Sequence, residues 1–96
     1  MIHVLARITV LPNAADKARA ILQELVVQSR REPGCLAYEL YQQSRQPHVF
    51  QTVERWQDQA AADAHLLSPH VAAVFVVAMP LLAAEPEIEA YVLASG

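Results

Sequence analysis

Apolar residues recur in this chain first at every second position, then at helical spacing, then at every second position again. No single type of structure satisfies both periods, so the chain must pair a sheet with helices. Residues 2–10, IHVLARITV, put Ile2, Val4, Ala6, Ile8 and Val10 on one side. His3, Leu5, Arg7 and Thr9 take the other, which predicts a strand. The LPNAAD that follows opens a helix, with Asn13 as the expected N-cap and Asp16 as the acid of a capping box. Ala18, Ile21, Leu22, Leu25 and Val26 form its apolar stripe. Glu32-Pro33-Gly34 ends it, since proline blocks continuation and glycine accepts a left-handed cap.

Residues 35–43, CLAYELYQQ, alternate again. The pattern sets Leu36, Tyr38 and Leu40 on one face and Cys35, Ala37, Glu39 and Tyr41 on the other. SRQP (44–47) is a polar turn into residues 48–56, HVFQTVERW, where Phe50, Thr52, Glu54 and Trp56 share a face. Residues 35–56 therefore read as a hairpin. Asp58 caps the next helix. In HLLSPH (65–70), Ser68 suits an N-cap whose hydroxyl accepts from a free backbone N–H, and Pro69 suits the first helical position. One helix ends near Leu67 and another starts at Pro69. PHVAAVFVVAMPLLAAE is apolar nearly all round, which predicts burial on most sides, with a break at Pro80. EIEAYVLA (87–94) is a last strand. The order strand, helix, strand, strand, helix pair, strand is the split βαβ pattern. It predicts one α+β, ferredoxin-like domain over residues 1–96, a four-stranded antiparallel sheet with helices on one face.

Hydrophobic residues make up 54% of the 96 positions. A domain this small has little interior in which to hide them, so a homodimer is expected. The net charge is −3 with no basic stripe, which argues against a nucleic-acid partner. No run of about 18 apolar residues predicts a membrane span, and the N-terminus does not resemble a secretory signal. Cys35 is the one cysteine, so no intrachain disulfide forms and a reducing, cytoplasmic setting is expected. No neighbour in sequence activates Cys35 as a nucleophile. The two glycines, Gly34 and Gly96, build no phosphate loop, so no nucleotide or flavin fingerprint is present.

REPGCLAYELYQ, HVFQTVERWQDQAAADAHLLSPHV and the order of elements together resemble the antibiotic biosynthesis monooxygenase family, over essentially the whole chain. Glu32-Pro33-Gly34-Cys35 with Tyr38, Glu54-x-Trp56 with Ala61 and His65, and Ser68-Pro69-His70 carry the resemblance. It implies a dimer whose two sheets form a shared barrel, with a pocket between sheet and helices in each subunit. Members of this length look like quinol monooxygenases that use O₂ without flavin, haem or metal, the substrate supplying the electrons. The haem-degrading branch has an Asn, a Trp and a haem-ligand His where this chain has Arg7, His65 and Phe75, so it is set aside. An isomerase-like branch keeps a helix His followed by Thr-Pro-His, close to the His65 and Ser68-Pro69-His70 found here.

The reading that follows is a cofactor-free monooxygenase acting on a small quinol or polyphenol. An acid/base isomerase of a small oxo compound and a ligand-binding dimer without turnover are its alternatives. His65 is the candidate acid/base, because an imidazole exchanges protons near neutral pH. The bland alternative is a helix-end histidine bonded to the last carbonyls. Glu54 would orient His65 or act as base itself; otherwise it is a structural acid paired with backbone or with a dimer-mate arginine such as Arg7. Trp56 and Tyr38 would line an aromatic pocket with Phe50, Phe75, Leu66 and Met79. His70 reads as a capping-turn residue near solvent. A metal site from His65 and His70 is not expected, because a spacing of five across a helix break does not put two imidazoles on one helical face.

Overall fold

The computed structural model describes residues 1–95. Four antiparallel strands, β1 (Ile2–Thr9), β2 (Cys35–Gln42), β3 (Val49–Trp56) and β4 (Glu87–Tyr91), form one sheet in the order β2-β3-β1-β4. Helices α1 (Ala15–Arg30), α2 (Gln59–Leu66) and α3 (Pro69–Ala78) connect them in the ferredoxin-like order. In β1, the side with Val4 and Ala6 is buried beneath the helices, as the alternation predicts. Val4 lies opposite Glu54 and Ala6 opposite Thr52 across the central β1–β3 pairing, so these side chains share the covered face. From α1, Ala18, Leu22, Leu25 and Val26 press onto it. Among the described residues, no single helix is long and apolar enough to cross a membrane.

Four local expectations change. Helical geometry begins at Pro12, in a 3-10 turn over Pro12–Ala14, and α1 follows from Ala15 without a side-chain cap. Leu11, extended before proline, takes the position where the chain turns in, so Asn13 falls inside the turn. Asp16 bonds Arg19 at 3.1 Å in the first turn instead of closing a capping box. In β2, a bulge between Cys35 and Ala37 inverts the expected faces at the strand's start. Cys35 pairs with Trp56 and packs against the core, while Leu36 is half-exposed. Finally, α3 is not buried on most sides. Only Val71 and Ala78 are buried, and Val76 is 73% exposed, because the helix lies at the rim of the layer. Pro80 ends α3 in a 3-10 turn over Met79–Leu81.

Asp58 caps α2 as predicted, accepting from Ala61 N–H at 2.8 Å. That helix start lies against Gly34, the one residue described with a left-handed backbone (φ +84°). A Cβ on Gly34 would come within 2.7 Å of Ala61 Cβ. Gly34→Ala is therefore expected to lose about 2 kcal/mol or more in urea unfolding, from left-handed strain and collision combined. A change within experimental error would show that the turn tolerates a side chain.

Candidate active site

Along β3, the two-residue period brings Thr52, Glu54 and Trp56 to one face. Glu54, 2% exposed, is held by both neighbours. Thr52 Oγ1 donates to one carboxylate oxygen at 2.6 Å and Trp56 Nε1 to the other at 2.9 Å. Thr52 Oγ1 itself accepts the Ala6 N–H at 3.2 Å. A buried carboxylate is costly unless donors surround it, and this strand supplies them from its own sequence. Within its own chain Arg7 lies opposite Gln51 and Glu87 in the pairing register, on the uncovered side of the sheet.

The last turn of α2 aims His65 inward, where it is buried. Its Nδ1 lies 2.5 Å from Glu32 Oε2. A carboxylate only accepts, so Nδ1 carries the proton, and in the neutral imidazole the lone pair is then on Nε2. Nε2 faces Glu54 Oε1 at 3.9 Å, too far for a hydrogen bond but close for charge. The Trp56 ring supports the imidazole at a centroid distance of 4.7 Å and the Tyr38 ring at 5.4 Å. Glu32 is the His65 partner that sequence reading missed. REPG was read there as a helix stop, and nothing local links position 32 to position 65.

The α2–α3 junction also differs from expectation. Ser68 occupies the N-cap position of α3, but its hydroxyl donates back to His65 C=O at 2.6 Å and caps no N–H. His70 is partly exposed, but its imidazole is engaged: Nε2 lies 2.9 Å from Glu32 Oε2. The spacing of five predicts no convergence across the helix break, and the geometry corrects it. A bend of 47° at the junction brings the two imidazole centroids to 6.0 Å. Ligand atoms of Glu32, His65 and His70 then all lie within 4.8 Å of one another.

Beneath the helices, a narrow cavity of about 50 Å³ opens between sheet and helices. Its polar points are Tyr38, Thr52, Glu54 and His65; Val4, Ala6, Leu22, Val71 and Ile88 contribute to its apolar wall. Leu66 and Phe75 line it and are partly exposed, so they form its rim. Three expected lining residues stand elsewhere. Trp56 and Phe50 are fully enclosed in the core, with Trp56 turned to Glu54. Met79 is 66% exposed, because the 3-10 turn at Pro80 carries it away from the cavity.

Burial and the nearby Glu54 charge push the Tyr38 phenol well above its usual range, so Tyr38 stays a neutral donor or acceptor at the cavity wall. Burial, then Glu32 and Glu54, push the Cys35 thiol up, which leaves it a poor nucleophile at neutral pH.

The fold and cavity define a class: ferredoxin-like α+β domains in which sheet and helices enclose a small pocket. More narrowly, the chain belongs to the antibiotic biosynthesis monooxygenase family, whose model matches residues 1–76. A solved structure of an antibiotic biosynthesis monooxygenase superposes with a TM-score of 0.92 at 29% identity, covering 98% of this chain and 99% of that one. The Pseudomonas aeruginosa protein PA3566 superposes with a TM-score of 0.87 at 34% identity, covering 97% and 94%. In sequence, the Bacillus subtilis protein named "Putative monooxygenase YcnE" is 30% identical over 92% of this chain and 93% of its own length. An uncharacterised Synechocystis protein is 32% identical over 97% of this chain, which spans 63% of that relative's length. The family chemistry these names carry is monooxygenase-like.

Because folding raises the Tyr38 phenol, its contribution is complete below the unfolded value, about pH 10, and is lost as pH rises further. Urea midpoints are expected to fall above that pH, and to fall less in Tyr38→Phe. Equal alkaline losses in both proteins would remove Tyr38 from the account.

Proposed function

We propose that the protein is a cofactor-free monooxygenase that oxidises a small quinol-like aromatic with O₂, using His65 as its acid/base. The observation that carries this reading is the Glu32–His65 contact: it fixes the tautomer and leaves the Nε2 lone pair on the cavity side. Nε2 takes the proton of a substrate hydroxyl, and Glu32 and Glu54 stabilise the imidazolium that forms. The resulting phenolate is electron-rich enough to pass one electron to O₂. Recombination of the two radicals forms a C–O bond at the ring. The imidazolium returns its proton as the O–O bond breaks. One oxygen stays on the substrate and the other leaves as water; for hydroquinone the product is a hydroxyquinone, with no external reductant. Apolar walls keep water from the intermediates.

The cavity has room for only a few waters, since each needs about 10–15 Å³. An aromatic ring enters when the rim side chains Leu66 and Phe75 swing outward. Tyr38 then offers a hydroxyl to the bound ring.

A second reading keeps the same base and moves a proton on a small oxo compound without oxygen. It is favoured by one imidazole lying between two carboxylates, a geometry that shuttles protons with no redox partner.

Oxygen uptake by metal-stripped, flavin-free protein against a panel of hydroquinones tests the choice, with autoxidation subtracted. The expected result is uptake that falls at least ~100-fold in His65→Ala and at least ~10-fold in Glu32→Gln, with circular dichroism unchanged. Full activity in folded His65→Ala would end the role of His65. Turnover that continues anaerobically would select the isomerase.

The same reading includes a homodimer closed over the open sheet face, where Leu5, Tyr41, Val53 and Tyr91 stand beside charged neighbours. Tyr41, Val53 and Tyr91 are exposed in the single chain. Sedimentation equilibrium at micromolar concentration is expected to give twice the chain mass; a monomer would refute the shared barrel.

A further inference from the structure

Both imidazoles at the α2–α3 junction converge on one carboxylate oxygen. Glu32 Oε2 lies 2.5 Å from His65 Nδ1 and 2.9 Å from His70 Nε2. The proton-transfer reading uses only the first contact and gives His70 no task. We propose that Glu32, His65 and His70 bind one divalent transition-metal ion, of the zinc type, and that the bound ion switches off His65 as a base.

The donor set is two imidazole nitrogens and one carboxylate oxygen. That set suits Zn²⁺, Co²⁺ or Ni²⁺, whereas Mg²⁺ and Ca²⁺ take oxygen donors. Zinc bonds of ~2.0–2.2 Å place tetrahedral donors about 3.3 Å apart. The three donors already lie within 4.8 Å of one another. The Glu32–His70 pair opens by a few tenths of an ångström to admit the ion, and the Glu32–His65 pair by somewhat more. Three protein donors leave a fourth position for water, with Ser68 Oγ alongside, 3.3 Å from His70 Nε2. The side chains grow more exposed from His65 (5%) through Glu32 (13%) to His70 (23%), so an ion reaches the site past His70.

A supporting group is already in place. Coordination through Nδ1 moves the His65 proton to Nε2. Nε2 faces Glu54 Oε1 at 3.9 Å, and metal-bound imidazoles commonly donate to such an outer carboxylate. Glu54 is itself fixed by Thr52 and Trp56, so the acceptor is oriented in advance. The switch follows from the same proton. With Nε2 protonated, His65 has no lone pair to offer the cavity. Binding of the ion does not depend on the proposed reaction; the switch does.

The test is zinc titration of tag-free, chelator-stripped protein against a chromophoric chelator, with Co²⁺ absorption reporting coordination. One ion per chain is expected, with an intense tetrahedral-type cobalt spectrum. His70→Ala and Glu32→Gln are each expected to weaken binding at least ~10-fold, while His3→Ala, on the open sheet face, leaves it unchanged. Circular dichroism checks each fold, and the near-isosteric Glu32→Gln serves if His70→Ala unfolds. Failure to bind stoichiometric zinc, or binding that both site variants retain, overturns the site. Oxygen uptake is then followed as zinc is added. Loss of uptake on saturation supports the switch, and undiminished uptake by zinc-saturated protein overturns it. Zinc bound by a protein without turnover would leave the site standing while the proposed reaction fell.

Discussion

The pairing of Glu32 with His65 joins two places 33 residues apart in the chain, the turn after α1 and the end of α2. Neither side chain would be stable there alone. An isolated buried charge is costly, and a buried imidazole N–H needs an acceptor. Several local devices bring the two together. Gly34 adopts the left-handed turn that lets α2 approach. Asp58 fixes where α2 begins, and Ser68 draws in the His65 carbonyl where it ends. Trp56 then props the imidazole from the sheet.

Elements written in a local period were legible from sequence. β1 and β3 alternate cleanly because one face of each is covered and water reaches the other, so their residues record their surroundings one by one. The stripe of α1 reads the same way. Misreadings fall where a distant contact overrides the local rule. The bulge at Cys35 and Ala37 adds one residue that an alternation count cannot see, and it exchanges the faces of Cys35 and Leu36. Ser68 has the residue type and position of an N-cap, yet its hydroxyl serves the preceding helix. The apolar run in α3 signals burial that one chain supplies on only one side.

The site was legible in its types but not in its partners. His65 and Glu54 stood out as ionisable groups among apolar ones, and both reach the cavity. Glu54 was expected to orient the imidazole, to act as base itself, or to be a structural acid. In the structure Thr52 and Trp56 occupy the carboxylate of Glu54, and Glu32 orients His65. Sequence separation hides this, because a hydrogen bond between positions 32 and 65 leaves no periodic trace. The same holds for His70, which a helix bend, rather than a spacing, brings to Glu32.

The arrangement gives the two carboxylates unequal work. Glu32 touches Nδ1 and determines which nitrogen carries the proton; Glu54 stands off Nε2 and acts by charge across 3.9 Å. Glu32 also contacts His70, which reaches toward solvent, whereas Glu54 sits beneath the apolar cavity. In the proposed reaction His65 separates the apolar cavity, where the substrate proton is exchanged, from the more exposed His70 side. The cavity wall is mostly aliphatic, at positions such as Val4, Leu22 and Val71. The polar residues around His65 are thus separate from the aliphatic residues that shape the cavity, and the site rather than the fold selects the chemistry.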